Sequence, residues 1–440
     1  MLIQWLLLQL VVLVLSAYDY SGYKLLRFEA DEKIAEWLEE LEGDGFDMGE
    51  GQCRLLVDVW AEPSKHRKTA DVLVAPEFHS TLVDLLQKRG VRQVDLLDDD
   101  IQKVIQREKR DLLRSARMKR SPRSAEQFEL DNYHSYDEMA NYMEQMAREK
   151  PDLVKLVNLT LSSEGRPVYG VMISKKTASV PVKPAIFVDA GVHAREWISS
   201  ASALYMIHKL VFGYGKDPQI TRSLNKFDWH IVPQSNPDGY EYSRKTDRLW
   251  RKTRSKNTTV NRWCVGADAN RNWGYRWGEA GANRQPCSNI YAGSHPFSEP
   301  EIAGIRDYIT WQIPQLIVYA SLHSYGQLLL SPWGYTNEKT ENHIDQRNAA
   351  KAAVVAMRNA TGATYTYGTI SELMYPASGT SIDYMQHRGV PYIYGVELRP
   401  LDSIDSYAFS IPPSYIKPTG DEMLAGLIAV GDYAVVHQRL

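Results

Sequence analysis

The chain has 440 residues, 44% of them hydrophobic and 24% charged, proportions that exclude a mainly disordered protein and leave room for more than one core. A formal net charge of -3 supplies no broad basic field of the sort that neutralises a phosphate backbone or an anionic lipid surface, so neither nucleic acid nor a membrane is expected as a partner. Three cysteines are too few for a disulfide scaffold or a thiolate metal site.

Residues 1–17 form an apolar run that stops at Ser16-Ala17, before the polar Tyr18-Asp-Tyr-Ser21. The run reads as a signal peptide, too short to span a bilayer comfortably. No Lys or Arg precedes its apolar core, so a retained anchor is the alternative reading. Later stretches fall short of the roughly twenty apolar residues that a spanning helix needs. Sequons at Asn158-Leu-Thr160, Asn257-Thr-Thr259 and Asn359-Ala-Thr361 fit the same expectation, a secreted, extracellular protein.

Residues 18–100 read as a small α+β open sandwich. Leu55–Trp60 and Thr69–Val74 are β-branched and apolar, as strands require, whereas Lys33–Leu41 and Phe78–Lys88 repeat their apolar residues at helical spacing. Residues 101–120 follow as a connecting helix or linker dense in basic residues. Such a segment invites a trypsin-like protease, cutting at Arg114, Arg117, Arg120 or Arg123, and makes the leading hundred residues or so a propeptide. A merely solvated basic helix end would look the same. Cys53, in this first unit, is expected to be a small buried apolar side chain.

Residues 121–440 alternate buried strands with amphipathic helices and carry no internal repeat or low-complexity tract. Val182–Ala190 and Leu316–Leu322 are near-continuous apolar runs, as in a sheet covered on both faces. Tyr136–Ala147, Ser200–Leu210 and Met423–Gly431 read as helices. The expectation is an α/β domain with a mixed or largely parallel sheet, in which sites gather where strands end. Cys264 and Cys287 flank one loop-rich stretch, which allows a single bridge in an oxidising compartment.

Directly after the strand ending at Ala190, the segment Gly191-Val-His-Ala-Arg-Glu-Trp197 sets His193 and Glu196 three apart at a turn or helix start. Imidazole and carboxylate both ligate zinc, and this spacing lets them converge on one ion. His-x-x-Glu alone is a weak pattern in a chain with 11 histidines; the comparable His134 to Asp137 lacks a preceding buried strand and is assigned to a helix entrance. His323 has the same end-of-strand position and is the preferred third ligand, leaving a fourth position for water. Asp268 is placed to hold a ligand imidazole from behind.

Seven blocks, in order, resemble the signature segments of the pancreatic-type zinc carboxypeptidase A/B family: His193-Ala-Arg-Glu-Trp197, Asn236-Pro-Asp-Gly-Tyr240, Arg248-Leu-Trp-Arg-Lys-Thr-Arg254, Asp268-Ala-Asn-Arg-Asn-Trp273, Leu322-His-Ser-Tyr325, Tyr375-Pro-Ala-Ser-Gly379 and Glu397-Leu-Arg399. The resemblance covers residues 122 to 440, and the segment before it resembles that family's signal and activation segments. It implies a mixed eight-stranded twisted sheet flanked by helices, preceded by the open-sandwich propeptide. It also implies one Zn2+ on His193, Glu196 and His323, with Glu397 as general base and Arg251 stabilising the oxyanion. Asn270, Arg271 and Tyr375 would bind the substrate's terminal carboxylate, with Arg195, Ser324 and Tyr325 as further substrate-binding residues.

In the family, the residue after Ser381 forms the floor of the pocket for the terminal side chain, and an acidic residue there selects Lys or Arg. This chain has Ile382, with Ile370, Met374, Ala377 and Gly395 at wall positions. An aromatic or large aliphatic side chain buried there would contribute about 1.5 to 3 kcal/mol, which is an A-type preference. Asp383 is adjacent, and if it pointed inward the preference would reverse. The expected protein is a monomeric secreted zymogen acting on peptide C-termini. Alternatives are a basic-residue preference, a catalytically silent binding protein on the same fold, or an endopeptidase.

Overall fold

The computed structural model describes residues 18–43, 46–47, 53–54, 56–64, 67–118, 123–175, 182–256, 263–402 and 408–438. The expected signal peptide, the sequon at Asn257, the side chains of Arg117 and Arg120, and the burial of Cys53 lie outside the described residues.

The N-terminal domain runs β1 (Lys24–Glu29), α1 (Glu32–Gly43), β2 (Phe46–Asp47), β3 (Cys53–Arg54), β4 (Val57–Ala61), β5 (Thr69–Val74), α2 (His79–Lys88), β6 (Val94–Asp98) and α3 (Ile101–Met118). Its four-stranded sheet has the order β4-β5-β1-β6 and is antiparallel throughout. Ile34 and Leu38 of α1 and Leu82 and Leu86 of α2 pack on Leu26, Phe28, Val72 and Val74, so the helical spacing read from the sequence is the spacing of this core. Sequence reasoning found β4 and β5 but not β1. Arg27 interrupts that strand's apolar run, and its charge is met by Asp71 of the neighbouring strand at 2.7 and 2.8 Å.

The C-terminal domain runs α4 (Tyr136–Glu149), β7 (Val154–Leu161), β8 (Pro167–Ile173), β9 (Ala185–Ala190), α5 (Trp197–Gly213), α6 (Pro218–Lys226), β10 (Asp228–Val232) and α7 (Pro237–Lys245). It continues with α8 (Pro300–Gln312), β11 (Leu316–Ser324), β12 (Leu328–Ser331), α9 (His343–Thr361), β13 (Thr366–Thr369), α10 (Ile370–Leu373), α11 (Ser381–His387), β14 (Tyr392–Leu398) and α12 (Ile416–Gln438). The eight strands follow the order β13-β12-β14-β11-β9-β10-β8-β7. The central β14, β11, β9 and β10 are parallel, and antiparallel β8 and β7 extend one side.

Residues of β9 alternate between two cores, Ile186, Val188 and Ala190 facing one and Ala185 and Phe187 the other. A strand buried on both faces has no polar alternation, which is why it reads as a continuous apolar run. The entrance of α4 is a capping box between Ser135 and Glu138, worth about 1 kcal/mol. His134 stands beside it, 3.5 Å from Glu138.

Candidate active site

Three parallel strands end on the same side of the sheet and deliver the chemistry. Leu322 is in register with Ala190, and His323 with Glu397. Past Ala190 the chain turns sharply at Gly191, whose φ is +68° and whose missing Cβ would lie 2.4 Å from both Gln234 Oε1 and Ser200 Oγ. Only glycine fits this turn. It places His193 in the following loop and Glu196 at the N-cap of α5.

His193, Glu196 and His323 are all buried, and one ligand atom from each lies within 4.8 Å of the others. His193 Nδ1 is 2.8 Å from Glu196 Oε1, and His323 Nδ1 is 3.3 Å from Glu196 Oε2. The other face of His193 is held by Asp268, with Nε2 at 3.1 Å from Oδ1. Burial alone would raise the Glu196 carboxyl, but His193 and His323 hold it below the usual carboxylate range. Two imidazoles, an ionised carboxylate and a carboxylate behind the first imidazole form a donor set that fits zinc.

Asp268 also binds Arg251, whose Nη2 and Nε lie 2.8 and 3.2 Å from Oδ2. One buried carboxylate therefore orients a ligand histidine and the guanidinium together. On His323 the outer nitrogen faces Ser321 Oγ at 3.1 Å, and Ser321 Oγ donates to Asp189 at 2.6 Å. Sequence reasoning missed this Asp189–Ser321 support, because both residues read as interior positions of apolar strands. Glu397 is partly buried, and desolvation together with nearby Glu196 pushes its carboxyl up to about 8 against the pull of His323 and Arg251. A cation on the adjacent donor set adds positive charge and draws it down again.

Next to this cluster, Arg271 Nη2 lies 3.3 Å from Tyr375 Oη, while its other nitrogens donate to Gly281 O at 2.6 Å and Asn270 O at 3.0 Å. Asn270 Oδ1 accepts from Ser381 N at 3.1 Å. The Ser324 amide donates to Glu196 at 3.2 Å, and the Tyr325 ring sits 5.3 Å from Phe409. Asn270, Arg271, Ser324, Tyr325 and Tyr375, with Arg195, line one cavity of about 360 Å³ together with His193, Glu196, His323, Arg251 and Glu397. Every site residue expected from the sequence is on its wall except Asp268, which lies behind it.

The far end of the cavity is apolar. Ile382, 2% exposed, faces Gly395, where an added Cβ would stand 3.5 Å from Ile382 Cγ1. Ile370, Met374 and Ala377 complete the wall. Asp383 turns away, accepting from Gly334 N at 2.8 Å and Tyr335 N at 3.0 Å.

Sequence reasoning did not find the N-terminal domain's own contribution to this cavity. Trp60 and Glu62 line it, and Asp58 Oδ2 meets Arg195 Nη1 at 2.6 Å. Asn289 donates to Asp58 at 2.9 Å and to Glu42 at 3.2 Å. Trp60 packs edge-on against Phe409 at 5.1 Å. From α3, Glu108 pairs with buried Arg248 at 2.5 and 3.0 Å. Cys264 and Cys287 form the one disulfide among the described residues, with Cα atoms 4.9 Å apart, on the loop that carries Asn289.

Comparison with known proteins gives two family matches, "Zinc carboxypeptidase" over residues 139–426 and "Carboxypeptidase activation peptide" over residues 50–108. Bovine (Bos taurus) carboxypeptidase A1 is 34% identical over 423 residues, covering 96% of each chain. The structure of thrombin activatable fibrinolysis inhibitor superposes with a TM-score of 0.80 at 30% identity, over 95% of this chain and 99% of that one. Carboxypeptidase A from Helicoverpa armigera gives a TM-score of 0.85 at 28% identity, over 96% of this chain and 100% of that one.

Proposed function

The chain belongs to the zinc carboxypeptidase family, and from that membership we propose a secreted zymogen that, once cut, removes apolar and aromatic residues from peptide C-termini. The observation that carries this reading is the single cavity that joins the donor set, Glu397, the Arg271–Tyr375 pair and an apolar end floored by Ile382.

The metal supplies, when bound, a Lewis acid that polarises the scissile carbonyl and acidifies water. His193, Glu196 and His323 would hold it, and Asp268 fixes the first of them. Arg271, Asn270 and Tyr375 grip the terminal carboxylate, which fixes which peptide bond is presented to the reacting groups. Glu397 takes a proton from the attacking water and returns it to the leaving amine. Arg251, held by Asp268, donates to the oxygen on which negative charge develops. Arg195, Ser324 and Tyr325 contact the peptide upstream of the scissile bond. Ile382 and its neighbours take the terminal side chain, and the outward turn of Asp383 supports the apolar preference over a basic one.

Residues 18–100 are the inhibitory domain, 101–120 the connecting segment and 121–440 the catalytic domain. Asp58 occupies Arg195 in the uncut chain, and Trp60 and Glu62 line the cavity. A trypsin-like cut between Arg114 and Arg123 frees them. Exopeptidase action is tested by giving the activated protein matched peptides with free and amidated C-termini. Cleavage of the free acid alone is expected; equal cleavage of both would make it an endopeptidase.

A further inference from the structure

Strand β7 is one edge of the large sheet, and against it α8 forms a shallow groove of about 350 Å³. Val157, Asn158, Leu159, His230, Tyr308 and Trp311 are on its wall. The floor is fixed, since His230 Nδ1 lies 2.8 Å from Tyr308 Oη. Trp311 is 77% exposed, the highest of any large apolar residue described. An unshielded indole beside a sheet edge invites association unless something covers it.

Asn158 stands in the middle of the eight-residue strand β7 and is exposed. Asn is disfavoured in strand interiors, so local structure does not account for it. The register slips at this point: Asn158 pairs with Tyr169, Thr160 with Val168, and Leu159 is the extra residue. A bulge of this kind re-aims side chains, and Asn158 lies on the groove wall next to the tethering sequence Asn158-Leu-Thr160.

We propose that Asn158 carries an N-linked oligosaccharide whose first sugars lie in this groove, the C–H face of the ring against the Trp311 indole. The modification forms an N-glycosidic C–N bond between the Asn158 carboxamide nitrogen, which gives up one proton, and the anomeric carbon of the first sugar, while the bond from that carbon to the lipid diphosphate of an activated donor breaks and the lipid diphosphate leaves. The electron-rich indole face attracts the polarised C–H bonds of a pyranose. The glycan therefore covers the indole and blunts the sheet edge in one structure. Asn359, the other described sequon, sits near the end of α9, and its Thr361 hydroxyl is bonded to Glu422 at 2.6 Å.

The inference rests on secretion, so the test expresses the full chain in secreting eukaryotic cells behind a signal sequence supplied with the gene. Glycan is released from the folded protein by a peptide amidase that converts a modified Asn to Asp, and the Asn158 peptide is read by mass. Conversion at Asn158 is expected, with release several-fold faster from Trp311→Ala and as slow as wild type from Trp311→Phe. An unmodified Asn158 in the secreted protein overturns the proposal, and equal release from wild type and Trp311→Ala overturns the seating of the glycan in the groove. C-terminal trimming by the activated Asn158→Gln protein should stay at the wild-type level, so the glycan and the peptidase reading fail in separate assays.

Discussion

Asp58 of the N-terminal domain and Arg195 of the catalytic cavity meet at 2.6 Å, with side chains only 9% and 2% exposed. Breaking a buried pair by removing one partner costs about 3 to 5 kcal/mol, and here the cost falls on the closed arrangement of the two domains. Asp58→Ala should raise turnover of a small peptide by the uncut chain by about tenfold or more. The activity of the cut enzyme should not change. Residual turnover equal to that of the uncut wild type would show that the pair does not hold the domains shut.

Glu42 makes the same interface depend on pH. Burial, with Asp58 beside it, pushes its carboxyl up to about 8, well above the ordinary carboxylate range. The docked state thus favours the protonated form, so this contribution to docking is fully present below about pH 4 and is lost as pH rises through about 8. Burial likewise pushes Glu62 well above its ordinary value, with Glu39 and Glu42 adding to the effect against Arg271 and Arg251. After the linker is cut, the released segment should co-elute with the catalytic domain at pH 6 and separate at pH 9. Glu42→Gln should flatten that dependence, and tighter association at pH 9 would contradict it.

Glu397→Gln keeps the shape of the side chain and removes its ability to carry the proton. Turnover of the activated enzyme should fall by about 10² to 10⁴, with KM little changed and one zinc per chain still bound. A loss of zinc in step with activity would make Glu397 a part of the metal's support instead.

Most of the candidate site was legible in the sequence because its geometry follows from strand ends. A buried apolar run fixes where β9 stops, and His193 and Glu196 come within six residues of that point; His323 and Glu397 occupy equivalent places on β11 and β14. The support behind His323 was not legible, since Asp189 and Ser321 meet only when β9 and β11 pair. Nor were Asp58 and Glu108, whose partners Arg195 and Arg248 are 137 and 140 residues away in the chain. Spacing in sequence carries no information about two domains docking. Strand β1 was hidden for a related reason, because Arg27 looks like a surface residue until Asp71 and Asp402 are seen around it.

The most direct test of the central claim exposes a pool of peptides ending in Phe, Leu, Lys, Arg or Glu to the trypsin-activated protein, with and without a zinc chelator, and reads the products by mass. The account predicts loss of single terminal Phe and Leu residues, abolished by the chelator and redirected toward Lys and Arg in Ile382→Asp. Release of Lys and Arg by the wild-type enzyme, or trimming that survives removal of zinc, would contradict it.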